Sequence, residues 1–300
     1  MSPRRAKVSN SSVGALFPGS ANVFAYQGAY QPAASLATGI GYWLRYSDAS
    51  YVTVSGTPIT SLNIPVSDGW NLIGSLGSSL DVAAVQSSPS GIVVSNFFGY
   101  AGTYYPAATL QPFQGYWVKA NGAGTIDLSS STNSSTSIRT PASSLEKLHP
   151  LQITDARGRT GKLYYGVLHE QVSTESFELP PLPPEGILDA RFASQRIAEC
   201  IGKDELKLSR VQLSSAEYPV IISWSAASDI LALLIVGGTK HPLSTDGSVK
   251  ISDSETAISL RLQGTKGVPE QFLLHQNYPN PFNPQTSIAF DLLQDRKSVV

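Results

Sequence analysis

The chain has 300 residues, of which 41% are hydrophobic and only 14% are charged, and its formal net charge is −1. This length predicts two or three modules, and a charged fraction well below the usual value of about 25% is typical of extracellular β-rich proteins. The small net charge argues against a nucleic-acid partner, and the lack of any run of about 18 apolar residues argues against a membrane span.

An internal repeat occupies the N-terminal part of the chain. The segment from Phe24 to Trp43, FAYQGAYQPAASLATGIGYW, matches the segment from Phe98 to Trp117, FGYAGTYYPAATLQPFQGYW, at 11 of 20 positions with an offset of 74 residues. Short aromatic runs such as GYWVKA and alternating runs such as TIDLSS predict short strands in each copy. We therefore expect a partial β repeat over residues 1–56, called the first copy, and a full β repeat over residues 57–128, called the second copy.

The next two segments differ sharply in composition. Residues 129–148 contain SSSTNSSTSIRTPASS, a polar stretch with too few apolar side chains to pack, and are predicted to be a Ser/Thr-rich linker. Residues 149–264 contain runs such as YPVIISWS and ILALLIV, which predict buried strands, and ELPPLPPEG, which predicts an extended polyproline segment. Short, regularly punctuated strands favour a β-sandwich-like domain. The predicted fold class is all-β.

Near the C-terminus, the stretch QNYPNPFNP combines three prolines with three asparagines. Each proline fixes its own φ and restricts the preceding residue to β or polyproline conformation, so the stretch should be a stiff ribbon leading into a strand near Thr286. The surrounding segment, PEQFLLHQNYPNPFNPQTSIAFDL, closely resembles the opening of the C-terminal sorting domain of type IX secretion substrates. The resemblance rests on Phe272, Leu274, Gln276, Asn277, Tyr278, Pro279, Asn280, Pro281, Phe282, Asn283 and Pro284.

In the family that it resembles, this domain is a small β-sandwich that directs a cargo protein through the outer membrane of a Gram-negative bacterium. The resemblance therefore implies an extracellular or outer-membrane-surface location, with the type IX secretion machinery as partner. Family domains continue for several strands after the motif, and family proteins begin with a signal peptide. Neither feature is found here, so we expect residues 265–300 to be a sorting domain truncated at Val300, and the chain to be a fragment that begins inside a repeat.

The sequence contains no recognisable catalytic pattern. Its four histidines are scattered, it has no nucleophile elbow or phosphate loop, and its single cysteine excludes cysteine-based metal clusters. The carboxylates of Asp155, Glu178, Glu185 and Asp189 each fall in a separate turn, which argues against paired acid–base catalysis. We expect no enzyme activity in this chain, no cofactor and no metal site.

The aromatic residues of the repeats are the only group with binding potential. Exposed rings could stack on sugars, which makes glycans a candidate partner through Tyr30, Tyr42, Trp43, Tyr104, Tyr116 and Trp117. Alternatively, these rings form the cores of small β units, with the two rings of each GYW on opposite faces of a strand. The expected function is a non-catalytic part of a secreted or surface protein, with structural, adhesive or spacer modules. The alternative is an accessory region of an exported hydrolase, with the repeats binding carbohydrate.

Overall fold

The structure is a computed structural model that describes residues 6–7, 10–20, 22–46, 51–53, 57–130, 145–167, 174–202, 205–264, 273–274 and 290–291. The regular structure of these residues is nearly all strand, which confirms the predicted all-β class. Helix is scarce in this part of the chain, with α1 (Val13–Leu16), two 3₁₀ turns and a helical residue at Leu145. No helix of the described ranges is long and apolar enough to cross a membrane.

The first copy is built around one small sheet. Its elements are β1 (Ala6–Lys7), α1 (Val13–Leu16), β2 (Asn22–Tyr26), β3 (Tyr30–Pro32), β4 (Trp43–Arg45) and β5 (Thr57–Pro58). Strands β3, β2 and β4 pair in that order, and β1 pairs with β5. Gly28 allows the tight turn between β2 and β3, since it adopts a φ of 74° that a β-branched or bulky residue rarely adopts.

The second copy forms a two-layer unit with its own core. Its elements are β6 (Ser61–Val66), β7 (Gly69–Gly74), β8 (Leu80–Asp81), a 3₁₀ turn (Val82–Ala84), β9 (Gln86–Ser88), β10 (Phe98–Tyr100), β11 (Tyr104–Pro106), β12 (Thr109–Leu110), β13 (Gly115–Ala120) and β14 (Gly124–Ser129). The sheet β11-β10-β13-β7 packs on the sheet β6-β14-β9, and β12 pairs with β8. The side chains alternate along β13, so that Tyr116 and Val118 enter this core while Trp117 points to the opposite face.

The third unit is a β-sandwich. Its elements are β15 (His149–Thr154), β16 (Thr160–Val167), a 3₁₀ turn (Thr174–Phe177), β17 (Asp189–Phe192), β18 (Ala198–Ile201), β19 (Leu206–Ser214), β20 (Val220–Trp224), β21 (Ile230–Val236), β22 (Thr239–Pro242), β23 (Gly247–Ile251) and β24 (Ile258–Gly264). One sheet has the order β18-β16-β15-β20-β23 and the other β17-β19-β24-β21-β22. Alternate residues of both sheets meet in one buried cluster, as in a sandwich.

The buried cluster of the sandwich continues into the second copy. It contains Leu72, Phe98, Tyr104 and Trp117 together with the sandwich residues. The C-terminal end of the predicted linker also contributes, because Leu145 and Leu148 are buried. The two modules therefore share apolar contacts that the composition of the intervening segment does not suggest.

The segment that resembles a type IX sorting motif has a short strand at each end. Strand β25 (Leu273–Leu274) pairs antiparallel with β26 (Phe290–Asp291), which brings together the chain before and after the motif. Among the motif residues only Leu274 belongs to the described part of the chain. Phe272 and residues 276–284 lie outside it.

Candidate functional site

The two copies fold with the same strand register. The equivalent pairs lie 74 residues apart in the sequence: Phe24 with Pro32 and Trp43, and Phe98 with Pro106 and Trp117. Backbone hydrogen bonds outside the strands follow the same rule, such as Ala33 N–H to Val23 O and Ala107 N–H to Phe97 O. The sequence repeat is therefore a repeat of three-dimensional structure.

The tyrosine of each GYW closes the loop in front of it. The Tyr42 hydroxyl accepts a hydrogen bond from the Ala37 backbone N–H at 2.8 Å, and the Tyr116 hydroxyl accepts one from Gln111 at 2.7 Å. The glycine that precedes Tyr42 is required by packing, because a Cβ at Gly41 would lie 2.6 Å from the Ile73 carbonyl oxygen. These tyrosines thus stabilise their own loops.

The aromatic rings of the two copies pack on each other reciprocally. Trp117 of the second copy contacts Tyr26 and Tyr30 of the first, with ring centroids 4.7 and 6.4 Å apart. Trp43 of the first copy contacts the equivalent Tyr100 and Tyr104 of the second, at 4.9 and 6.4 Å. Such exchange of equivalent contacts is expected of two units related by an approximate two-fold axis. We call these six residues, Tyr26, Tyr30, Trp43, Tyr100, Tyr104 and Trp117, the aromatic junction.

The aromatic junction binds the Pro-rich segment of the third unit, residues 178–186. The Tyr30 hydroxyl donates to the Leu182 carbonyl and the Tyr104 hydroxyl donates to the Pro181 carbonyl, both at 2.8 Å. Polyproline backbone has no internal hydrogen bonds, so its carbonyls need donors from elsewhere. The two equivalent tyrosines supply these donors to consecutive carbonyls.

Charged side chains fix the start of the same segment. The Lys119 ammonium lies 2.9 and 2.7 Å from the two carboxylate oxygens of Glu178. The buried Arg191 guanidinium contacts the Asp189 carboxylate at 2.6 and 3.0 Å and donates to the Pro180 carbonyl at 3.1 Å. The segment is therefore held from the second copy and from the sandwich at once.

Burial of the junction tyrosines predicts loss of stability at alkaline pH. Burial raises the pKa of Tyr30 from 10.0 to about 12, and it also raises the pKa values of Tyr100 and Tyr104. Because the folded state holds these phenolic protons more tightly than the unfolded chain, their contribution to stability is complete below about pH 10 and is lost as the pH rises further.

We expect denaturant unfolding midpoints to fall between about pH 9 and about pH 11. Tyr30→Phe should reduce this fall, because it removes one of the responsible groups. Tyr51→Phe, at a fully exposed position, is the matched control. A midpoint that is the same at both pH values would contradict the burial of these hydroxyls.

The candidate glycan-binding rings differ in their accessibility. Tyr104, Tyr116 and Trp117 are buried, with at most 3% of their surface exposed, so no face of these rings is free to stack on a sugar. Tyr30, Tyr42 and Trp43 are half-buried. Glycan contact through the latter three stays a prediction.

Sequence reasoning missed the partners that complete the junction. Tyr26 and Tyr100 recur at the 74-residue offset and could have been included on that signal. The Pro-rich segment was recognised as extended, but its binding to the repeats depends on tertiary structure. Arg191 carries no sequence signal for its role, since its partners Asp189 and Pro180 become neighbours of a buried guanidinium only after folding.

One open cleft adjoins the junction. It has a volume of about 410 Å³ and lies between the sheet of the first copy and the end of the Pro-rich segment. Its lining combines the rings of Phe24 and Trp43 with the polar side chains of Asn22, Arg45 and Glu185. Aromatic faces beside amide, guanidinium and carboxylate groups are suited to a polyhydroxylated ligand.

Two properties of the titratable side chains in the described residues bear on chemistry, their grouping and their pKa values. No group of three or more His, Cys, Asp or Glu side chains in these ranges could hold a metal ion. Burial tends to raise the pKa of Asp155, but hydrogen bonds from the side chain and backbone of Arg159 outweigh it and lower that pKa. Burial raises the pKa of the Cys200 thiol to about 12, which keeps it protonated at neutral pH.

Comparison with protein-family models, with curated proteins and with solved structures finds no match to this chain.

Proposed function

We propose that this chain is a non-catalytic structural region of a protein that a Gram-negative bacterium secretes or displays through the type IX route. In this proposal the two copies and the sandwich form a rigid spacer or adhesive unit. The observation that carries the structural role is the aromatic junction, in which Tyr30 and Tyr104 bind the protein's own Pro-rich segment. Aromatic side chains that could otherwise bind a ligand therefore join the repeats to the sandwich.

Rigidity of the unit supports a spacer role. The buried cluster runs from the second copy into the sandwich without interruption, and the ion pair between Lys119 and Glu178 adds a polar contact beside it. Interfaces between domains that move freely are smaller and more polar than a continuous buried cluster of this kind. A module that presents or separates other parts of a surface protein needs this kind of fixed geometry.

The proposed export route rests on the motif QNYPNPFNP and its resemblance to type IX sorting domains. To test it, the chain is placed behind a Sec signal peptide, the later strands of a known type IX sorting domain are fused after Val300, and the protein is expressed in a bacterium that has a type IX system. We expect the protein in the medium or accessible to protease at the cell surface. Replacing Pro279, Pro281 and Pro284 by serine should leave it in the periplasm.

The control for this experiment replaces the same number of prolines outside the motif. Pro18→Ser, Pro32→Ser and Pro65→Ser change three exposed prolines of the repeats and should leave export unchanged. Periplasmic retention of the unaltered chain, in cells that export their own substrates, would argue against the route. Equal export of both sets of variants would show that the motif is not the signal.

A second candidate function, carbohydrate binding by an accessory region of an exported hydrolase, is favoured by the cleft beside Trp43. The test is calorimetry with soluble oligosaccharides, using Asn22→Ala and Glu185→Ala, two changes at exposed positions of the lining. Carbohydrate binding predicts saturable heat that both variants reduce. If no sugar gives heat, or if neither variant changes the heat, carbohydrate binding at this cleft would be contradicted and the spacer role would remain.

A further inference from the structure

A cleft lies at the boundary between the second copy and the sandwich, and we call it the boundary cleft. It has a volume of about 320 Å³, which is within the range of small-molecule sites. One wall is the edge strand β11, and the other is formed by β15 and β16 of the sandwich. Every residue of the lining lies inside one of these two modules and belongs to the described part of the chain.

Two glycines fix the walls of the boundary cleft relative to each other. A Cβ at Gly161 of β16 would lie 2.3 Å from the Thr103 side chain, and a Cβ at Gly102 would lie 2.9 Å from the Thr160 carbonyl oxygen. The turn between β10 and β11 therefore sits directly on β16, without space for a larger residue at either contact. The cleft is a preformed consequence of the way in which the two modules pack.

The sandwich wall presents hydrogen-bond donors beside an aromatic ring. Thr160, Lys162 and Tyr164 occupy alternate positions of β16, so their side chains share the outer face of the sheet. Gln152 of β15 is the direct cross-strand neighbour of Lys162. Lys162 is the only charged residue of the lining. A hydroxyl, an ammonium and an amide group therefore lie close to the half-buried Tyr164 ring.

The opposite wall presents backbone acceptors. Strand β11 is the outermost strand of its sheet. The Ala107 N–H donates to the Phe97 carbonyl, so by the alternation of an antiparallel ladder Pro106 and Tyr104 make no backbone hydrogen bonds to β10. Their carbonyls lie on the open edge of β11, and both residues line the cleft. Since Pro106 has no N–H, this edge has more acceptors than donors.

We propose that the boundary cleft binds an acidic sugar residue of the hexuronic acid class. The carboxylate of the sugar pairs with the Lys162 ammonium, and its ring packs on Tyr164. Its hydroxyls donate to the carbonyls of Tyr104 and Pro106 and accept from the Gln152 amide. This cleft is separate from the one that adjoins the aromatic junction, and the proposal depends on neither the spacer role nor the export route.

A hexuronic acid fits the boundary cleft better than a peptide strand or a simple anion does. A strand added to β11 needs alternate donors and acceptors along that edge, and Pro106 removes one of the donors. A simple anion would pair with Lys162 but would offer no donors to the carbonyls of the opposite wall. A hexuronic acid combines one carboxylate with several hydroxyls and therefore serves both walls.

The test uses two probes that differ in a single group, methyl glucuronide with a carboxylate and methyl glucoside with a hydroxymethyl group in its place. Binding to the full chain is followed by NMR chemical-shift changes at low salt. We expect saturable binding of the glucuronide and about threefold or more weaker binding of the glucoside. Lys162→Gln should remove this preference, whereas Lys250→Gln, at an exposed position of the same sheet, should not.

Several results would overturn the proposal. Equal affinity for the two glycosides, or an equal loss in Lys162→Gln and Lys250→Gln, would show that Lys162 does not recognise the carboxylate. Acetate that displaces the glucuronide at equal concentration would show a simple anion site. If Gln152→Ala, at another exposed position, bound the glucuronide as tightly as the unaltered protein, the hydroxyl contacts would be wrong. Absence of binding at about 100 mM glucuronide would remove the site. None of these results bears on the spacer role or the export route.

Discussion

Replacing Trp117 by alanine is expected to lower the free energy of unfolding by about 3–5 kcal/mol. This side chain is 2% exposed and contacts Tyr26, Tyr30 and Trp70, so its removal leaves a cavity where the two copies meet the sandwich. The measurement is equilibrium unfolding in denaturant, followed by circular dichroism. The loss of stability is large because the side chains around Trp117 belong to three separate units and cannot all move into the cavity.

Two variants provide controls for this prediction. Trp117→Phe should cost clearly less than the alanine variant, because it keeps a ring and the indole N–H has no hydrogen-bond partner among the described residues. Trp43→Ala, at the equivalent and half-buried position of the first copy, should also cost less. If Trp43→Ala lowered the free energy of unfolding as much as Trp117→Ala, the claim that Trp117 is more deeply buried than Trp43 would be contradicted.

Replacing Arg191 by methionine is expected to cost about 3–5 kcal/mol. The guanidinium is almost completely buried, and its removal leaves the Asp189 carboxylate without its cation and the Pro180 carbonyl without this donor. The double variant Arg191→Met, Asp189→Asn should cost less than the sum of the single changes, because the uncompensated charge is then absent. The free energies of unfolding of the unaltered protein, the two single variants and the double variant give the coupling energy between Arg191 and Asp189 directly.

A surface ion pair provides the control for the buried one. Arg157→Met is the control, since Arg157 pairs with Glu217 at the surface and its loss should cost less than about 1 kcal/mol. Equal costs for Arg191 and Arg157 would contradict the buried pair.

Local patterns were sufficient to predict several strands of this protein. Alternation predicted β14, and the GYW strings predicted β4 and β13, because side-chain direction along a strand has a period of two. The prediction that the two rings of GYW lie on opposite faces agrees with Tyr116 and Trp117 entering different clusters. A repeat with constant offset also predicts equal register, since the same residues face the same neighbours.

The contacts between modules could not be predicted in this way. Packing of Trp117 on Tyr26 and Tyr30 of the other copy depends on how the copies are placed relative to each other, and the offset alone does not specify that placement. The binding of Pro181 and Leu182 depends on donors distant in sequence. The backbone conformation can also be the same in both copies where the residue type differs. Gly39 has a φ of 86°, and Phe113 at the equivalent position has a φ of 64°.

The central claim is that the aromatic junction makes the second copy and the sandwich one cooperative unit. Hydrogen exchange at increasing denaturant, resolved by mass spectrometry of peptides, tests it most directly. Peptides from β7 and β13 should lose protection in the same denaturant transition as peptides from β19 and β24, because they share one buried cluster. Loss of protection in β7 and β13 while β19 and β24 remain protected would contradict the claim.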